Sequence, residues 1–168
     1  MMKLFMPKEY ITHNFSETQA LGKQTAENLQ GGQSRLVKNS RRSEAGMILC
    51  LEGDLGAGKT TFTQGLLEGL GAEGPYTSPT FLIMKHYKKE IPNSKLQTNL
   101  KIQNIYHFDA YRVGAEDVLS LGWEEIITDP KNVVIVEWPE KIEKILPKGV
   151  IKIKFEWIDQ DERKITFQ

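Results

Sequence analysis

The run Gly53-Asp54-Leu55-Gly56-Ala57-Gly58-Lys59-Thr60-Thr61 has the spacing of a phosphate-binding loop, G-x-x-x-x-G-K-[ST]. Each residue type has a chemical use. Gly53, Gly56 and Gly58 permit positive φ and let the backbone come close to a polyphosphate. The loop amides can then point inward as an anion nest, and the helix that follows adds the positive end of its dipole. Lys59 supplies a movable charge for β- and γ-phosphates, and Thr60 a hydroxyl ligand for Mg²⁺. A plain glycine-rich turn has no use for the lysine. The flanks agree with the loop. Residues 47–51 are an apolar run that reads as a buried strand. Residues 60–70 read as a helix with Phe62, Leu66, Leu67 and Leu70 at helical spacing, and Gly71 stands where a C′ residue belongs.

A phosphate loop of this kind needs an acid on a neighbouring strand, to hold magnesium and orient a water or acceptor. Glu137 ends the apolar run 133–136, and Asp109 ends the run 105–108. Alone, each is equally consistent with a helix cap or a salt-bridge partner; beside a phosphate loop, each is a candidate for the magnesium centre. Arg112 reads either as an ion-pair partner of Asp109 or Glu116 or as a charge near the phosphates. His107 lies inside a strand pattern and is expected to be a satisfied, partly buried histidine. Trp123 and Trp138 read as packing residues, with Trp138 close enough in sequence to Glu137 to approach a nucleotide. No His/Cys/Asp cluster has zinc-ligand spacing.

The elements that must position these residues follow from pattern and punctuation. A short strand is predicted over 10–15. Ser16 and Gln19 read as a capping box opening a helix to residue 30, with Leu21, Thr25 and Leu29 on one face. Residues 34–45 are polar and basic and read as a solvated loop. Strands are predicted over 81–87 and 100–108, forming a long-looped hairpin. A helical stretch follows over 115–121, and Pro139 at N1 is expected to open a short helix to residue 146. Residues 149–157 alternate as a strand, and 163–167 can pair with it. Helices interleaved with strands, some antiparallel, imply a three-layer α/β domain spanning 1–168, with a mixed, largely parallel central sheet flanked by helices.

Composition narrows the function classes. Among 168 residues, 22 Lys and Arg balance 22 Asp and Glu, so the net charge is zero. A stand-alone nucleic-acid binder normally shows a basic excess. The single Cys50 permits no intrachain disulfide and reads as a small core residue. There is neither a signal peptide nor a long apolar span, so a cytoplasmic protein without a membrane role is expected.

Five motifs in order carry a resemblance. They are the loop 53–62; Ser78-Pro79-Thr80-Phe81; His107-Phe108-Asp109-Ala110-Tyr111-Arg112; Leu121-Gly122-Trp123-Glu124-Glu125; and Glu137-Trp138-Pro139-Glu140. Together they resemble the TsaE (formerly YjeE) family over about residues 16–147, the small bacterial ATPases of tRNA threonylcarbamoyladenosine formation. The resemblance implies a P-loop NTPase-like domain that binds ATP or ADP with Mg²⁺ and hydrolyses ATP slowly. It implies work with TsaB-like and TsaD-like subunits, modification next to the anticodon, and contact with tRNA only through that complex. By the same resemblance, Gly53 to Thr61 form the ATP loop, Thr60 and Glu137 are associated with magnesium, and Asp109 is the catalytic acid beside the γ-phosphate. Thr80 lies in a switch-like segment, Asn14 and Phe15 lie near the base, and Arg163 approaches the nucleotide. Residues 33–45 and 88–101 are longer than is usual for the family and are candidates for altered partner contacts.

Two other classes use the same loop. A small-molecule kinase would need an acceptor pocket and usually a lid with several arginines, and Arg112 is the one arginine within these motifs. A binding module would use ATP occupancy only to gate assembly. A GTPase is disfavoured by the lack of an N-K-x-D motif.

Overall fold

The runs at 47–51 and 133–136 are apolar at every position, which suits strands covered by helices on both faces. The computed structural model of the chain describes residues 9–31, 45–79, 81–89 and 102–168. In it these runs become β2 (Met47–Glu52) and β5 (Asn132–Glu137), paired in parallel at the centre of a seven-stranded sheet. The other strands are β1 (Glu9–Thr12), β3 (Met84–Lys88), β4 (Asn104–Asp109), β6 (Ile151–Trp157) and β7 (Arg163–Phe167). Their order is β1-β7-β6-β2-β5-β4-β3. Strands β6, β2, β5 and β4 pair in parallel, while β1, β7 and β3 are added by antiparallel pairings at the flanks. This is the expected mixed α/β sheet, with its parallel part confined to the centre. The expected hairpin of β3 with β4 and the pairing of β6 with β7 are both present.

Among the described residues, four helices cover the sheet: α1 (Phe15–Gln30), α2 (Lys59–Leu70), α3 (Ala115–Leu119) and α4 (Trp123–Thr128). Alternation along the strands assigns each residue to a layer. Met47, Leu49 and Leu51 of β2 and Val133 and Ile135 of β5 join Leu21, Leu29, Phe62, Leu66 and Leu70 of α1 and α2. The intervening Ile48, Cys50, Val134 and Val136 join Val118, Trp123 and Ile126 of α3 and α4. Asp109 and Glu137 have the parity of the first set, so both strand ends turn their acids toward α2. Cys50 is fully buried, and burial pushes its thiol up to about 12, so it is an inert core residue.

Several local expectations are corrected. Helix α1 is capped by Asn14, not Ser16: Asn14 Oδ1 accepts from the Glu17 amide at 2.9 Å, and Glu17 Oε2 accepts from the His13 amide at 2.8 Å. The sequence contains two overlapping capping patterns whose caps are of similar strength, and the one with a charged acid in the first turn forms. Strand β3 begins at Met84 instead of residue 81. The Leu82 amide donates to Pro79 O at 2.8 Å, and Ile83 sits at φ 66°, so the chain turns there before it extends. The helix expected over 115–121 stops at Leu119, and Gly122 at φ 81° lets a second helix, α4, start at once. After Pro139 the chain makes two 3-10 turns, Pro139–Lys141 and Glu143–Ile145, not one α-helix. Thr80, residues 32–44 and residues 90–101 lie outside the described residues, and with them the switch-like threonine and nearly all of both long loops. No helix among the described residues is long and apolar enough to cross a membrane.

Candidate functional site

The site forms where parallel strands end together. The register sets Leu51 of β2 against Glu137 of β5, and Glu137 against Asp109 of β4. The crevice outside such strand ends is where open α/β sheets bind ligands. The phosphate loop leaves β2 there. Gly53 has φ 147°, and a Cβ on it would lie 2.5 Å from the Phe155 carbonyl, so the loop is seated against β6 as only glycine permits. Gly58, at φ 100°, is the N-cap of α2 and makes no side-chain capping bond. The first turn of α2 therefore keeps amides for an anion.

Lys59 opens α2 and is buried, with 4% exposure. Its Nζ donates to Gly53 O at 2.5 Å and Asp54 O at 2.8 Å, and lies 4.0 Å from the centre of the Trp138 ring. Burial lowers its pKa from the ordinary lysine value, and the carboxylates of Glu137, Glu140, Asp109 and Asp54 pull it part of the way back. A desolvated ammonium held by carbonyls stands to gain from an arriving polyanion. Trp138 takes φ 60° and ψ 50°, a left-handed conformation unusual for a bulky residue, and packs against Tyr111 with ring centres 4.8 Å apart and the rings tilted by 45°. Backbone strain of this kind gathers at functional sites.

Thr60 faces Glu137. Its hydroxyl lies 3.3 Å from Oε1 and 3.2 Å from Oε2 of that carboxylate. Glu137 is 3% exposed and also accepts from His107 Nε2 at 2.9 Å. Asp109, 6% exposed, accepts from the Tyr111 amide at 3.0 Å. A cavity of about 240 Å³ joins these groups, lined by Leu55, Gly56, Gly58, Lys59, Thr60 and Thr61 from the loop and helix. Its opposite wall is Asp109, Tyr111, Arg112, Glu137 and Trp138.

The structure thus brings together most of the residues singled out from sequence. Gly53, Asp54 and Ala57 belong to the loop but do not line the cavity; Gly53 and Asp54 contribute the carbonyls that hold Lys59. Asn14 and Phe15 do not line it either: Asn14 is a helix cap, and Phe15 is exposed. Arg163 lies beside the loop but does not line the cavity, its Cγ 3.7 Å from where a Cβ on Gly58 would be. Its guanidinium donates to the carbonyls of Asp159, Gln160 and Glu162. Arg112 sets its guanidinium over Phe81, 5.1 Å from the ring centre. Tyr111 and the strained Trp138 are the site residues whose roles are least visible in sequence; their signals are adjacency to Asp109 and Glu137 and membership of the motifs around those acids.

The strand, glycine loop and helix at this crevice define a P-loop NTPase-like fold. The family model for the threonylcarbamoyl adenosine biosynthesis protein TsaE matches residues 12–165. The tRNA threonylcarbamoyladenosine biosynthesis protein TsaE of Bacillus subtilis is 38% identical over 159 residues, covering 95% of this chain and 84% of its own length. That of Haemophilus influenzae is 34% identical over 123 residues, 73% of this chain and 70% of its own. The crystal structure of Bacillus subtilis YdiB superposes with a TM-score of 0.62 at 33% identity, covering 95% of this chain and 82% of that one. The chain belongs to the TsaE family of tRNA threonylcarbamoyladenosine biosynthesis proteins.

Proposed function

We propose that this chain is a magnesium-dependent ATPase that works with TsaB-like and TsaD-like subunits in threonylcarbamoyladenosine modification of tRNA. The observation that carries this reading is the meeting of Thr60 and Glu137 within 3.3 Å, in one cavity with Lys59 and Asp109. The donor set suits magnesium. Among the described residues no group of three or more His, Cys, Asp or Glu is placed to hold a metal ion. One hydroxyl and one carboxylate beside a phosphate loop match an ion that keeps several waters and is shared with phosphate oxygens. Thr60 and Glu137 would hold it, and when bound it would neutralise charge on the β- and γ-phosphates.

The remaining work falls to the chain's own groups. The loop amides and the start of α2 receive the phosphates, and Lys59 exchanges the Gly53 and Asp54 carbonyls for phosphate oxygens. Asp109, at the end of the neighbouring strand, would orient the attacking water. Pockets that enclose a whole small ligand run roughly 300–1,000 Å³. A cavity of about 240 Å³ therefore suits the phosphate end, with the nucleoside reaching beyond it. A net charge of zero favours contact with tRNA through the partners, not directly.

The test is in cells. A strain whose only copy of this chain carries Asp109→Ala is expected to accumulate folded protein and tRNA lacking threonylcarbamoyladenosine, read by mass spectrometry of nucleosides. Normal modification in that strain would contradict the proposal.

A further inference from the structure

His107 is more than a core residue. It sits on β4 two positions before Asp109, so the two side chains emerge on the same face, toward α2. It is 1% exposed and contacts Glu137 Oε1 through Nε2 at 2.9 Å. Its other nitrogen, Nδ1, is buried with no hydrogen-bond partner among the described residues. An apolar side chain would fill this place without leaving a buried nitrogen unpaired. What the imidazole adds is the bond to Glu137. An ionised carboxylate only accepts, so Nε2 carries the hydrogen of that bond.

Glu137 is held from two directions. The Thr60 hydroxyl reaches it from α2, near both oxygens, and His107 reaches Oε1 from the sheet. A hydroxyl has one hydrogen to give. Thr60 can therefore donate to only one of the two oxygens at a time, whereas the bond from His107 falls on Oε1 alone. We propose that His107 is a positioning residue for Glu137. It pins Oε1 so that Oε2 stays turned to the cavity as the metal-facing oxygen. This rests on the magnesium reading of Glu137, and the experiment separates the two.

The first readout needs no metal. In the free wild-type protein, long-range ¹H–¹⁵N correlation of the histidine rings is expected to show His107 Nε2 protonated. A bare Nε2 would overturn the proposal, and this holds even if the variants fail to fold. The second readout is the affinity for Mn²⁺ in the presence of ADP, from water-proton relaxation, together with the affinity for ADP alone. Loss of an outer partner of a metal ligand typically weakens metal binding about 10–100-fold. His107→Leu is expected to lose Mn²⁺ affinity by about that factor while binding ADP alone as wild type does. His107→Gln keeps an N–H in reach of Oε1 and is expected to restore most of it. If Glu137→Gln loses the metal and His107→Leu does not, the positioning role is overturned and the magnesium reading stands. If neither variant differs from wild type, the magnesium reading falls and this proposal with it.

Discussion

Replacing Lys59 with alanine is expected to cut ATP hydrolysis by about 10²–10³-fold while the fold survives. The size follows from what one preorganised charged donor contributes in a water-poor site, roughly 3–4 kcal/mol of transition-state stabilisation. Lys59 is 4% exposed and opens the helix that receives the phosphates, and its ammonium lies over the Trp138 ring. Survival of the fold follows from where it is bonded. Its hydrogen-bond acceptors are two loop carbonyls at the cavity, Gly53 O and Asp54 O, which water can serve in its absence. Lys59→Arg is expected to fail as well, because a planar guanidinium does not fit the confined place of an ammonium. Single-turnover hydrolysis together with thermal unfolding checks both. Near-normal hydrolysis by Lys59→Ala would remove the lysine from the chemistry.

The second large effect is on stability. Helices α1 and α2 cross in close contact, and Gly65 of α2 lies against the backbone of α1. A Cβ added there would stand 1.8 Å from Gln19 O and 2.7 Å from its carbonyl carbon. Overpacking against movable side chains costs about 1–3 kcal/mol. Here the obstacle is backbone, so Gly65→Ala is expected to cost about 3 kcal/mol or more. For a chain of this size that is a fall in Tm of roughly 6–12 °C. It is a large share of a total stability of about 5–15 kcal/mol. Gly56 is the control: an alanine there meets nothing within 4 Å and bears only the strain of φ 78°, about 1–2 kcal/mol. Because α2 begins at Lys59 and Thr60, pushing it away from α1 should also weaken nucleotide binding. A Gly65→Ala protein as stable as the Gly56 control would mean that the helices can separate freely.

The site was legible in sequence where one local pattern determines one local structure. The glycines and Lys59 specify a loop between a strand and a helix, and that is how residues 47–70 fold. Apolar runs ending in an acid specify strand-end carboxylates, and Asp109 and Glu137 lie opposite each other at the predicted ends. Competition between neighbouring signals hid other features. Asn14–Glu17 and Ser16–Gln19 are overlapping capping patterns with equally good caps, and the charged acid in the first turn favours the first. The role of His107 depends on its sharing a face with Asp109 and on the register of β4 against β5. Parity was readable from the strand; register was not. Nothing in the sequence announces that Trp138 adopts a left-handed conformation over Lys59, because that conformation is imposed by the elements around it.

Everything functional depends on residues 53–60 receiving phosphates while Glu137 and Thr60 hold magnesium. Calorimetric titration of ADP, with Mg²⁺ and then with EDTA, tests this most directly on the wild-type chain and on Glu137→Gln. Saturable binding at one site is expected, tighter with Mg²⁺, with the magnesium-dependent part lost in Glu137→Gln. No uptake of ADP under either condition, or wild-type binding indifferent to Mg²⁺, would contradict it.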